Sequence, residues 1–140
     1  MAATIKKEIR DRIAAITEIT DAAYRVYVDR IPEAVTDYRT VVISRGGSNQ
    51  NPTLSADDDE LITEMINVTV RGKTSFDAET INDAVIDDLQ SLQGASLGAS
   101  RKIGSIIVED IIDSFEADEY GGDAGNAVIL SNFTIMHVPQ

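Results

Sequence analysis

The residues able to carry chemistry in this sequence are few and scattered. His137 is the only histidine. It shares strand parity with Phe133 and Ile135, so its expected role is structural, and no Ser/His/Asp set can be assembled around it. Asp57-Asp58-Asp59-Glu60 gathers carboxylates, the ligand type of a hard cation. Calcium loops alternate their ligands and turn on a glycine. Here the acids are consecutive and carry no glycine, which predicts a solvated acidic turn. The stretch from Asp118 to Asp123 has glycines but only scattered ligands. Gly46-Gly47-Ser48 follows an expected strand, as phosphate loops do, yet lacks the Gly-Lys-Ser/Thr ending. It reads as the tip of a hairpin loop. Arg101-Lys102 is too short for a nucleic-acid footprint. No carboxylate pair is surrounded by the apolar sequence that raises the pKa of a general acid. The expectation is a protein without catalytic residues, metal or cofactor.

Charge narrows the partners. The formal net charge is −12, from 12 Lys+Arg against 24 Asp+Glu. A field of that sign repels phosphate backbones and anionic lipid, so wrapping of nucleic acid is not expected. DNA sliding past such a surface without adhering is compatible with it. The charge is also segregated. No Lys or Arg follows Lys102, whereas Lys6, Lys7, Arg10 and Arg12 cluster near the start. A solvated acidic surface explains this; so does a head-to-tail contact between the basic patch of one copy and the acidic patch of the next. There is no cysteine, which excludes disulfides, thiol nucleophiles and Cys-ligated zinc or iron–sulfur sites. No apolar run has the roughly 20 residues needed to span a bilayer. The opening MAATIKKEIR lacks a signal-peptide hydrophobic region, which predicts cytosolic synthesis without membrane association.

The elements that must position these groups follow from periodicity. Ile5, Ile9, Ile13 and Ile16 recur at helical steps behind Thr4 as N-cap, and the pattern ends near Asp21. Alternation predicts strands at Tyr24–Val28, Tyr38–Arg45 and Leu61–Arg71, the last with Ile66, Val68 and Val70 on one face. The run Gly46 to Pro52 reads as a loop. A second helix begins at Asp77 as cap, buries Ile81, Ala84, Val85, Leu89 and Leu92, and stops before Gly94. Ser105–Phe115 reads as a strand on its β-branched content, with room for a bulge. Ala127–Val138 is the last strand. With 140 residues and 43% hydrophobic content, one domain spanning 1–140 is expected. The fold class is α+β: a mainly antiparallel sheet of about four to five strands with two amphipathic helices packed on one face.

This succession resembles the tail terminator (tail completion) proteins of long-tailed bacteriophages. The carrying features are a short helix, Ile5 to Ile16, leading into Tyr24–Val28, and then Val41-Val42-Ile43 followed by a variable loop. Next comes Ile66-Asn67-Val68-Thr69-Val70-Arg71-Gly72 running into a helix. An acidic, glycine-containing loop, Asp118 to Gly125, precedes Ala127-Val128 and Phe133-Thr134-Ile135. The resemblance is one of element order over nearly the whole chain and contains no diagnostic motif.

The resemblance implies a virion protein assembled in the host cytoplasm. Six copies would form a ring on the head-proximal end of the tail tube, stop its elongation and join it to the neck. Its partners would be copies of itself, the tail tube protein and a head-completion or neck protein, with DNA passing the acidic lumen unbound. The contact residues expected on the two loops are Arg45, Asn49, Asn51, Asp57 and Asp58, and Asp118, Glu119, Tyr120 and Asp123, facing the basic patch. Another connector or neck subunit would share this element order. A small ligand-binding domain or enzyme would instead show a concave pocket with convergent polar groups.

Overall fold

The computed structural model describes residues 5–31, 39–51, 61–97, 101–116 and 126–139. Helix α1 (Lys6–Ala14) forms because Ile5, Ile9 and Ile13 fall on one face at four-residue steps, and all three are fully buried. Thr4, the expected cap, lies outside the described residues; Ile5 occupies the cap position and makes no side-chain cap bond. The chain breaks at Ile16, whose backbone is extended, and resumes as a one-turn helix α2 (Thr17–Asp21) that buries Ile19. Ala23, in the left-handed region at φ 59°, turns the chain into the first strand.

The strands are β1 (Arg25–Val28), β2 (Thr40–Asn51), β3 (Leu61–Gly72), β4 (Ser96–Leu97), β5 (Arg101–Glu116) and β6 (Asn126–Pro139). Helix α3 (Ser75–Gln90) connects β3 to β4. Thr74 caps it, its Oγ1 accepting from the Asp77 N–H at 3.2 Å, so Asp77 belongs to the first turn and is not the cap. Beyond the helix, Gly94 has φ +77°, a conformation that favours glycine, and its N–H donates to the Ile103 carbonyl at 2.9 Å.

All the strands among the described residues belong to one sheet in the order β1-β2-β3-β6-β5-β4. This corrects the expected architecture of four to five antiparallel strands with two helices. The sheet has six strands and is mixed, because β1 runs parallel to β2 with Val26 opposite Val41. The described residues form three helices, because the break at Ile16 divides the N-terminal helical region in two. The Gly46 loop is likewise corrected: β2 continues through it to Asn51, paired with β3 down to Leu61. A bulge between Arg45 and Gly47 absorbs the irregularity, and the close approach of Asn67 to Gly46 shows why glycine suits that position. β5 carries two further bulges, at Gly104 and at Glu109.

The helices pack on one face of the sheet, α1 over β1 and β2 and α3 over β3, β6 and β5. That face supplies Val41 and Ile43 from β2, Ile66, Val68 and Val70 from β3, and Ile129, Phe133 and Ile135 from β6. Each such side chain contributes about 1.5–3 kcal/mol on burial. At Gly72 a Cβ would stand 2.7 Å from the Ala78 backbone N, so the strand-to-helix corner needs a glycine for close packing. The opposite face of β6 carries half-buried Val128, Leu130, Met136 and Val138 on either side of Asn132 and Thr134, and no described element covers it. Among the described residues, no helix is long and apolar enough to cross a membrane.

Candidate functional site

A charged cluster lies on the helix-facing side of the sheet. Glu64 of β3 and His137 of β6 are both fully buried, and Arg101 at the start of β5 is nearly so. The strand alternation that buries Ile62 and Ile66 forces Glu64 inward between them; the alternation through Phe133 and Ile135 does the same for His137. His137 Nε2 is 3.0 Å from Glu64 Oε2, and Arg101 Nε donates to His137 Nδ1 at 2.9 Å. Since an arginine N–H occupies Nδ1, the imidazole proton sits on Nε2 and donates to the carboxylate. The Arg101 guanidinium also donates to the His137 carbonyl at 3.1 Å. Arg45 approaches the other Glu64 oxygen at 3.8 Å. Burial pushes the Arg101 guanidinium below the usual arginine range, and the attraction of Glu64 opposes that shift.

The same carboxylate accepts from the Ile5 N–H at 3.2 Å, at the cap position of α1. Glu64 therefore plays the part of a capping-box carboxylate, accepting from the cap residue's own N–H, but from a strand distant in sequence. A carboxylate also complements the positive end of the helix dipole. The cluster resembles an acid–histidine relay in composition, yet Glu64 and His137 offer no surface to a substrate. Its effect is to fasten the start of α1 to the end of the sheet.

The expected basic patch lies on α1 and is largely engaged within the chain. Lys6 pairs with Asp29 at 2.9 Å, Arg10 with Asp11 at 2.9 Å, and Arg12 with Asp88 of α3 at 2.8 Å. Arg10 Nε also donates to the Val26 carbonyl at 3.3 Å. The Asp88 hydrogen bond holds the Arg12 guanidinium above the usual arginine range, with burial opposing it. Lys7 is exposed. Arg45 sits beside the β2 bulge with its side chain 37% exposed. The backbones of Asn49 and Asn51 lie in β2, opposite Thr63 and Leu61. Asp57, Asp58, Asp118, Glu119, Tyr120 and Asp123 lie outside the described residues. The described residues thus place Arg45, Asn49 and Asn51 along one strand and the basic residues on a helix over the same sheet.

A second feature is the incomplete cover of the sheet edges. On β2, β1 pairs only with Thr40 to Ile43. On β5, β4 pairs with Arg101 and Lys102, and the segment before it reaches Ile103 and Ile106. Among the described residues no strand pairs with the outer edge of β2 from Ser44 onward or of β5 from Ile107 onward. Ile107, Ile111 and Ile112 on β5 are about half exposed, at 49%, 55% and 50%. A cleft of about 340 Å³ lies between the segment that follows α2 and the first turns of α3, lined by Ala22, Tyr24, Arg39, Phe76, Asp77, Thr80 and Ile81. Among the described residues no three His, Cys, Asp or Glu side chains are grouped to hold a metal.

Sequence reasoning overlooked Glu64, although a signal is present: a carboxylate in phase with Ile62, Ile66, Val68 and Val70 on the apolar face of a strand. Its partner Arg101 carries no such signal, because the bulge at Gly104 resets the parity of β5.

No protein-family model matches the sequence, and no curated protein matches it. A solved structure described as the virion of a native gene transfer agent (GTA) particle contains a chain of the same fold. The TM-score is 0.54, with 13% sequence identity, over 95% of this chain and 94% of that one. At that identity the likeness establishes the fold.

Proposed function

We propose that this protein is a phage-type virion structural subunit without catalytic activity. In this reading the whole chain acts as one domain, and six copies close into a ring on the head-proximal end of the tail tube. The ring stops tube elongation and presents its other face to the head or neck. The observation that carries the reading is the end-to-end fold likeness to a chain of a virion particle, with almost nothing left over on either side. The net charge of −12 supports it, because an acidic lumen passes DNA without holding it. The sheet face and the stretches of β2 and β5 that no described residue covers supply surface for contacts with neighbouring proteins.

Six-fold closure needs two different patches on each copy. Arg45, Asn49 and Asn51, the acidic residues Asp57 and Asp58, and the 118–125 segment are the proposed contact positions. Electron microscopy of the protein mixed with purified tail tubes tests the reading. Density at one tube end supports a terminator; binding to the portal side alone identifies another connector subunit. Replacing Asp118 and Glu119 with Lys is expected to weaken ring formation or docking while leaving the circular-dichroism spectrum unchanged. Undiminished assembly of that variant removes the electrostatic part of the proposal.

A further inference from the structure

We propose that neighbouring copies join by staggered, antiparallel β-augmentation, the edge of β5 from Ile107 to Ser114 in one copy pairing with the edge of β2 from Ser44 to Asn51 in the next, both edges bare among the described residues. This deepens the ring reading; the pairing itself rests on the two edges, and only its closure into a ring rests on that reading.

The edges match in direction. β2, β3, β6 and β5 alternate in sense across the sheet, so β5 runs opposite to β2. A copy placed alongside in the same orientation therefore brings its β2 antiparallel to β5. They also match in position. Val41, Val70, Ile129 and Asp113 form one row across the sheet. The bare part of β5 begins near this row's end of the sheet, and the bare part of β2 lies at the other end. The covering strands β1 and β4 sit at opposite ends as well. Sliding the neighbour along the strands aligns both bare stretches and carries β1 and β4 past the ends of the joint. Setting Asp113 against the neighbour's Arg45 requires a shift of four residues, from Val41 to Arg45, or about 13 Å at the usual rise per residue. A constant stagger of tilted strands is the geometry by which sheets close into barrels.

The side chains select this partner over the alternatives. The β5 edge carries Glu109, Asp110 and Asp113 among its half-exposed isoleucines. Pairing two β5 edges would set those acids against each other, which cross-strand neighbours disfavour. The β2 edge brings Arg45 instead. Asp113 stands opposite Ile129 and Arg45 follows Ile43 by two residues, so both belong to the helix-facing side of the sheet. In the same register Ser114 meets Ser44 on the other side. The backbone N–H and C=O groups of both edges gain strand partners, and Ile107 and Ile112 gain cover.

The absence of cysteine makes the test direct. Ser44→Cys and Ser114→Cys variants are prepared separately, mixed, and treated with an oxidant or a short bis-maleimide. The expected result is a cross-linked dimer in the mixture and none from either variant alone. The Ser44→Cys/Ser114→Cys double variant should give a ladder of multimers. Adding Asp113→Arg should lower the cross-linked yield about tenfold through like-charge contact with Arg45. Self-cross-linking of Ser114→Cys, or no dimer in the mixture, overturns the proposal. Sizing the unmodified protein separates the two readings. Rings without the cross-link reject this joint and keep the ring, whereas a ladder that never closes keeps the joint and rejects the ring.

Discussion

Replacing Glu64 with Gln probes the buried cluster with almost no change in shape. The amide oxygen can still accept from His137 Nε2 and from the Ile5 N–H, which lie 3.0 and 3.2 Å from the present carboxylate oxygen. The negative charge is lost. Both hydrogen bonds then fall from the charge-assisted to the neutral class, a loss of about 1 kcal/mol each. Arg101 is left as a buried cation without its counter-ion, the larger effect; breaking a buried pair by neutralising one partner costs about 3–5 kcal/mol in all, the weakened hydrogen bonds included. Arg45, partly exposed, recovers its solvation in water and adds little. A total of about 3–5 kcal/mol is a large share of a stability of about 5–15 kcal/mol. For a chain of 140 residues this lowers Tm by about 10–15 °C, at about 3 °C per kcal/mol. Thermal and urea unfolding followed by circular dichroism measure the loss. Amide exchange should also quicken at the start of α1, where the Ile9 N–H bonds the Ile5 carbonyl, more than in α3. A Glu64→Gln variant within about 1 kcal/mol of the parent would show that the cluster does not hold the helix to the sheet.

Ala23 adopts φ 59°, so Ala23→Gly should stabilise the protein by about 0.5–1 kcal/mol in urea unfolding, against the usual destabilising effect of glycine. A double-mutant cycle on Arg12 and Asp88 should give a coupling of only about 0.5–1 kcal/mol, because the Arg12 side chain is 43% exposed. Leu89→Asp places an unpaired charge in a fully buried position of α3 and should abolish cooperative unfolding.

The long elements are legible where local pattern and tertiary packing agree. β3 is readable because Ile66, Val68 and Val70 alternate with polar residues. α3 is readable because its apolar stripe continues through Ile81, Val85 and Leu89. Where packing overrides local preference, the pattern misleads. Gly46-Gly47-Ser48-Asn49 has loop composition, yet the ladder to β3 holds it as strand and a bulge takes up the mismatch. The parallel pairing of β1 is hidden because Tyr24–Val28 and Tyr38–Arg45 lie near enough in sequence to suggest a hairpin. β4 is only Ser96–Leu97, too short for a periodic signal. Glu64 and His137 are 73 residues apart, and only the register of β3 on β6, which sets Ile62 opposite His137, makes them neighbours. No property of either residue alone reveals that contact. The expected loop positions from Asp57 to Asp58 and from Asp118 to Asp123 lie outside the described residues, so their contact roles stand as proposals.

The most direct measurement of the central claim is the length distribution of tail tubes assembled from their subunits with and without this protein, imaged by electron microscopy. Adding the protein should halt growth and leave a six-fold cap at a single end of each tube. Tubes that lengthen equally in its presence, with both ends bare, would contradict the capping role.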